Sequence, residues 1–279
     1  MRLVRNKPGP RYPLPSVPPA GVIGDAKRTI VTSYQLDSGR YLLRWRHFDF
    51  LIDAQGQWVV CYSDDGAPDE VIWLLLSGIV ASFVLMLRGI VAVHGSGVAL
   101  DKDAVCFVGF PGSGKSTIAA ALARRGACWL ADDTTAVELS DSDAIVRPSH
   151  PTVKLREDAF NYFRLPRKGT IKEEVPIGTA GIPAAAGRYR LRTIYRLDSH
   201  RESSRRLVAE VIDGASRVVE LLPYVRAAAL APGSLRGNLL NRCGRLLQAV
   251  RVAEFHYPHG LENLPAICDF LVEDIRRAR

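Results

Sequence analysis

From Ile30 to Val60 apolar and polar positions alternate, and the apolar ones are mostly aromatic or branched (IVTSYQLDSGRYLLRWRHFDFLIDAQGQWVV). A repeat of two is the signature of strands with one buried face. Asp-Ser-Gly at 37–39 and Ala-Gln-Gly at 54–56 interrupt it, so the segment predicts several antiparallel strands joined by tight turns. Val71 to Leu87 then carries no charge for seventeen residues. That length is at the lower limit for crossing a bilayer. Its flanks read as helix ends, with Pro68, Asp69 and Glu70 before it and Arg88-Gly89 after it, and a buried helix is the expectation. The text GIVAVHGSGVALDKDAVCFVGF predicts two strands joined by Asp101-Lys102-Asp103. Thr117–Arg125 (TIAAALARR) is rich in helix formers and stops at Gly126; Ala127–Ala131 is a short apolar strand ending in Asp132-Asp133. Strand, glycine-rich loop, helix and strand thus follow in order.

Beyond this unit, Ala136–Val146 predicts a hairpin turning at Ser140–Asp143, while residues 147–186, rich in proline, glycine and charge, show no usable period. Tyr189–Leu197 and Ser204–Ile212 read as strands, Val218–Val252 as mostly helix, and Asn263–Arg277 as a closing helix after Tyr257-Pro258. There is no internal repeat. The fold class expected is α/β (α+β), with a smaller antiparallel β-rich N-terminal domain. The domains expected are a flexible or extended proline-rich arm over 1–20, the β-rich domain with its buried linking helix over 21–88, and a larger domain over 89–279.

Composition narrows the class. The 279 residues are 47% hydrophobic and 24% charged, ordinary for a soluble globular chain with a full core. Six prolines in the first twenty residues and the lack of an apolar stretch there argue against a secretory signal. The five cysteines, Cys61, Cys106, Cys128, Cys243 and Cys268, are scattered, without a C-x-x-C pair. That disfavours a disulfide framework or zinc site and favours a reducing, cytoplasmic setting. The net charge of +8 is concentrated: Arg188–Arg251 holds thirteen arginines, no lysine and five acids. Such a surplus attracts phosphate, acidic peptide or nucleic acid, or is simply a solvated arginine-rich face.

Residues 109–116 read G-F-P-G-S-G-K-S and match G-x-x-x-x-G-K-[ST] with Gly109, Gly114, Lys115 and Ser116 in register. A polyphosphate is a dense anion best held by several inward-pointing backbone N–H groups. Glycines let the main chain wrap that closely, and the helix that follows adds its positive end. Gly109, Pro111, Gly112, Ser113, Gly114, Lys115, Ser116 and Thr117 are therefore the expected nucleotide-binding residues. Lys115 is expected on the β- and γ-phosphates and Ser116 on Mg²⁺. ATP, or GTP, with Mg²⁺ is the expected ligand. Asp132-Asp133, at the carboxyl end of the next strand, falls beside such a loop; one acid can serve the metal and the other accept a proton or orient water. His94 follows Val91-Ala92-Val93 and precedes Gly-Ser-Gly; on spacing alone it reads first as a structural histidine.

Val93-His94-Gly95, then GFPGSGKST from Gly109, then Leu130-Ala131-Asp132-Asp133 resembles the catalytic domain of HPr kinase/phosphorylase over about residues 90–138. The N-terminal strands, the apolar helix and Pro151-Thr-Val-Lys-Leu155 are more similar to a smaller branch, the HPr-kinase-like enzymes that phosphorylate a serine of lasso-peptide precursors. The resemblance implies a P-loop kinase core of HPr kinase/PEP carboxykinase type and an ATP-dependent serine kinase. It implies Asp132 as base at the acceptor hydroxyl, Asp133 assisting the metal beside Ser116, and His94 near the transferred phosphate. Thr117 stands where that family usually has glutamate. No Glu-x-Arg-Gly-Leu-Gly run follows residue 138, so phosphorolysis and HPr as substrate are not implied.

The leading expectation is a kinase acting on a serine hydroxyl of a peptide or protein, with the arginine-rich stretch available to an acidic or carboxylate-ended acceptor. A homo-oligomer is the expected assembly, and neither membrane nor nucleic acid is the expected partner. Two other classes share the same loop. A nucleotidase or small-molecule kinase would turn over nucleotide without a peptide. A nucleotide-gated binding protein would contact nucleic acid or a protein partner through its arginines; ATP hydrolysis or DNA binding with a steep salt dependence would favour it.

Overall fold

The computed structural model describes residues 2–5, 10–25, 28–64, 68–166, 172–198 and 206–278. It is a mixed α/β fold of two compact units, Met1–Ala92 with Val225–Arg242, and Val93–Tyr224 with Cys243–Arg279.

The first unit is built on a sheet of β1 (Arg2–Arg5), β2 (Gly21–Asp25), β3 (Arg28–Gln35), β4 (Tyr41–Arg44), β5 (Phe48–Ile52) and β6 (Trp58–Ser63). Their order is β1-β6-β5-β4-β3-β2, antiparallel throughout except that β1 runs parallel to β6. The interruptions at 37–39 and 54–56 are turns whose glycines, Gly39 and Gly56, take φ of 73° and 67°. Leu43, Phe50, Ile52 and Val59 are buried, and β5 is buried at every position, on both of its faces. That includes Asp49, on the face opposite Phe50, a carboxylate that needs compensation inside a sheet. Arg44 gives it two hydrogen bonds of 2.9 and 2.8 Å, and Arg11 gives two more of 3.2 and 2.6 Å. Over residues 10–20 the proline-rich arm is thus extended and tied down. Arg11 also donates to the carbonyls of Trp45 and Arg46, and Tyr12 packs edge-on against Tyr62. Residues 1 and 6–9 of the arm lie outside the described residues.

The uncharged segment forms one helix of α1 (Asp69–Leu75), a π-turn (Leu76–Val80) and α2 (Ala81–Leu87), ended by Gly89 at φ 74°. Ile72, Leu76, Val80, Phe83 and Val84 share one face and are buried; Phe83 meets Tyr41 edge-on at 5.4 Å. The opposite side is open, with Trp73 61% and Leu74 57% exposed. By length and composition the helix is long and apolar enough to cross a membrane, and 44% of its most apolar window is buried. One face of it is therefore buried in this unit, consistent with the buried helix expected, and the other is open. Val225–Arg242 closes this unit. Ser33 Oγ donates to Leu230 O at 2.7 Å, and Gly21 lies so close to Ala229 O that a Cβ there would stand 2.3 Å from it.

The second unit follows β7 (Val91–Val93) and contains β8 (Gly95–Leu100), β9 (Asp103–Val108), α3 (Lys115–Ala123), β10 (Cys128–Ala131), β11 (Thr135–Leu139) and β12 (Ala144–Val146). A hairpin of β13 (Thr152–Arg156) and β14 (Lys172–Pro176) carries α4 (Glu157–Phe163) between its strands. The chain continues through β15 (Tyr189–Leu197), β16 (Val208–Val211), α5 (Ser216–Leu221), α6 (Gly233–Ala249, which runs on from the first unit), β17 (Arg251–His256) and α7 (Leu264–Arg277). The sheet is mixed, in the order β10-β8-β9-β15, with β17 and β16 beyond and β12-β11 beside the start of β15. β9, β15 and β17 are parallel, so their carboxyl ends lie together. Alanine-rich α3 and the Leu264, Ile267, Cys268, Leu271, Ile275 stripe of α7 share one core with these strands. Phe107 stacks on Tyr195 at 5.6 Å, and Phe255 on Tyr257 at 5.2 Å.

Two stretches depart from expectation. Arg251–His256 is β17, so the helix expected over Val218–Val252 does not reach its last two residues; beside β15 the strand buries Val252, Ala253 and Phe255. Residues 147–186 hold the β13–β14 hairpin. The strand expected over Ser204–Ile212 is Val208–Val211, and Ser204 and Arg205 lie outside the described residues.

Candidate active site

The loop Gly109–Gly114 leaves the carboxyl end of β9 and enters α3, as the glycine pattern requires. Gly114, at φ 80°, precedes the first helical residue, and a Cβ there would stand 3.3 Å from the Tyr257 hydroxyl. At Gly109 a Cβ would come within 2.5 Å of Ser113 Oγ, so only glycine lets the loop curl back on itself. Tyr257 donates its hydroxyl to the carbonyl of Ser113, and burial pushes its pKa up, which keeps that proton in place. Ser113 is itself buried, and its hydroxyl has no hydrogen-bond partner among the described residues. Lys115 folds back along the loop, with Nζ 2.8 Å from Gly109 O and 3.1 Å from Phe110 O.

One helical position on, Ser116 donates to Asp132 Oδ1 at 2.8 Å. The same oxygen accepts from Ser96 Oγ at 2.6 Å, and Asp132 Oδ2 accepts the backbone N–H of Lys154 at 2.8 Å. Three elements, β8, α3 and β13, are thereby fixed to one carboxylate at the end of β10. Asp133 has turned away from the strand into the left-handed region, φ 66°. His94 Nδ1 lies 2.7 Å from Asp133 O and 3.5 Å from its Oδ1. A carbonyl only accepts, so Nδ1 carries the proton. Lys154 Nζ lies 3.7 Å from Asp133 Oδ2. Behind the site, a Cβ on Gly95 would stand 2.5 Å from Phe107 O and 2.8 Å from Cys106 Sγ. Burial pushes the Cys106 thiol up to about 12, so it packs as an apolar group.

The chain is similar to a solved structure of the HPr(Ser) kinase/phosphatase from Coxiella burnetii. The two are 16% identical, with a TM-score of 0.39 over 66% of this chain and 95% of that one. No family model and no curated protein matches the chain.

The residues of the site suit a polyphosphate with a hard divalent cation. The loop is a cradle that a Cβ at Gly109 would fill, and the Ser113 hydroxyl is buried without a partner. Ser116 Oγ and the Asp132 carboxylate are adjacent oxygen donors, the kind that Mg²⁺ takes. Of the residues expected at the site from sequence, Gly109 to Thr117 form the loop and the first turn of α3, Asp132 is bonded to Ser116, and His94 meets Asp133. Ser96 and Lys154 were not among them. Ser96 had a signal, a lone hydroxyl in a strand buried at every position.

The arginine-rich stretch is differently disposed. Arg188 pairs with Glu138, Arg190 with Asp143, Arg192 with Asp103, and Arg251 with Asp274, at 3.7, 2.7, 3.0 and 2.6 Å. Arg196 bridges Glu220 and Glu254 at 3.2 and 2.5 Å. Beside it His256 Nδ1 contacts Asp198 at 3.0 Å, and Nε2 faces Glu254 and Glu210 at 3.9 and 4.0 Å. These five arginines are paired with acids, whereas Arg217, Arg236, Arg242 and Arg245 donate to the backbone carbonyls of Leu247, Ala231, Gly89 and Ser140. Arg201 and Arg205 lie outside the described residues.

Proposed function

We propose that this chain is an ATP-dependent kinase that transfers the γ-phosphate to a serine hydroxyl of a peptide or protein. The observation that carries the reading is the Ser116–Asp132 hydrogen bond at the head of α3, with a second acid, Asp133, next to it between His94 and Lys154. The loop amides and Lys115 bind the phosphates, Lys115 exchanging its loop carbonyls for phosphate oxygens. Ser116 and Asp132 would hold the Mg²⁺ of the nucleotide, which would supply charge to offset that on the phosphates. The three hydrogen bonds of Asp132 engage both its oxygens, which favours this metal-side role and reverses the division of roles expected from the resemblance. Asp133 then accepts the serine proton as Oγ bonds to the γ-phosphorus and the bond to the β-bridging oxygen breaks, releasing ADP. His94 holds the Asp133 turn in place through Nδ1–H. A serine of a precursor peptide, lasso-peptide precursors included, is the acceptor class that the sequence resemblance favours.

The test is incubation with Mg²⁺–ATP and serine-containing peptides, read by mass spectrometry, with Lys115→Ala and Asp133→Asn as controls. Phosphoserine formed by the wild type and lost in both variants supports the reading. ADP release without any phosphopeptide would favour a nucleotidase. Full activity of Asp133→Asn would remove Asp133 as base.

A further inference from the structure

The strand Thr152–Arg156 reads T-V-K-L-R. Val153 and Leu155 are buried in the core shared with α3, so Thr152, Lys154 and Arg156 lie on the other face. That face is turned to the phosphate loop. The Lys154 main chain is pinned to Asp132 at 2.8 Å, its ammonium lies 3.7 Å from Asp133, and an Arg156 guanidinium nitrogen lies 3.7 Å from where a Cβ on Gly112 would be. Two cations two residues apart on a strand therefore flank the site. Lys115 lies within the loop on Gly109 O and Phe110 O, so they stand apart from it.

Resting on the kinase reading above, we propose that Lys154, with Arg156 beside it, is a second cationic contact for the terminal phosphate. In that reading Asp133 marks the end at which the phosphoryl group leaves, and Lys154 is the cation held there. An ammonium fixed at that end lowers the energy of a triphosphate more than that of a diphosphate. It also offsets the charge that spreads over the transferred oxygens. A lysine that only braced Asp133 would act on both nucleotides alike.

The experiment compares the binding of Mg²⁺–ADP and of a non-hydrolysable Mg²⁺–ATP analogue by calorimetry, in the wild type, Lys154→Met, Lys154→Arg and Arg156→Gln. Met keeps the length and packing of the lysine stem, and thermal melting checks each variant for folding. Lys154→Met is expected to lose roughly 10-fold in affinity for the triphosphate while its ADP affinity stays within about twofold. Lys154→Arg should retain the discrimination, and Arg156→Gln should lose part of it. Equal losses for the two nucleotides, or none, would overturn the proposal and leave the kinase reading standing. A wild type that binds neither nucleotide would overturn both.

Discussion

Replacing Asp132 by asparagine separates what this carboxylate does for the fold from what it does for the metal. It accepts three hydrogen bonds, from Ser96 Oγ, Ser116 Oγ and the N–H of Lys154, at 2.6 to 2.8 Å. Asparagine can keep its oxygen on the Lys154 N–H, which only donates, and turn its NH₂ to the two hydroxyls, which can rotate to accept. What is lost is the assistance of the charge, about 1–2 kcal/mol in all, so melting should fall by only a few degrees. Alanine leaves three polar groups unpaired, at about 1–3 kcal/mol each, and should melt markedly lower. Function should rank differently. Removing the negative charge beside Ser116 is expected to cost ~10–100-fold in Mg²⁺-dependent nucleotide affinity, the range for groups that support a metal. The assay is calorimetric titration of ATP with Mg²⁺ and again with chelator. The wild type should weaken on chelation, and Asp132→Asn should bind at the chelated level under both conditions. If Asp132→Asn binds Mg²⁺–ATP as tightly as the wild type and remains sensitive to chelation, Asp132 is not the metal-side acid.

Two further outcomes test the frame around the site. Gly95→Ala drives a Cβ into Phe107 O and Cys106 Sγ; it should cost about 1–3 kcal/mol of stability and, by shifting the adjacent His94, lower phosphotransfer as well, both read on the purified variant. Burial pushes the Cys106 and Cys243 thiols up from 9.0 to about 12 and about 11. A raised value in the folded state means that the stability they contribute is intact below pH 9 and is lost as pH rises toward those values. Denaturant unfolding at stepped pH should show a loss of about 1.4 kcal/mol per pH unit for each thiol above pH 9, and a flat response there would contradict it.

How much of this was legible in the sequence depended on whether the signal was local. The turns at Gly39 and Gly56, the Asp69–Leu87 helix and the loop into α3 are set by glycine, proline and period, and each lies within two residues of its expected place. The strand Arg251–His256 was hidden because its identity comes from lying parallel to β15, a partner over fifty residues away. The β13–β14 hairpin was hidden in the same way: T-V-K-L-R alternates for five residues only, among prolines and charges. At the site, the glycines, Lys115 and Ser116 announce themselves by spacing. Which of Asp132 and Asp133 bonds Ser116 does not, because it depends on how the chain turns just past β10, where Asp133 takes φ 66°. Neither did Lys154 or Ser96, which reach Asp132 only when separate strands fold against one another.

The turn from Gly109 to Ser116 is proposed to receive a nucleoside triphosphate, and every role assigned at the site depends on that. The decisive experiment is calorimetric titration of ATP with Mg²⁺ into the wild type and into Lys115→Ala. Saturable binding by the wild type and a loss of at least about 10-fold in the variant are expected. No heat from ATP, GTP or their diphosphates, or equal binding by the two proteins, would contradict it.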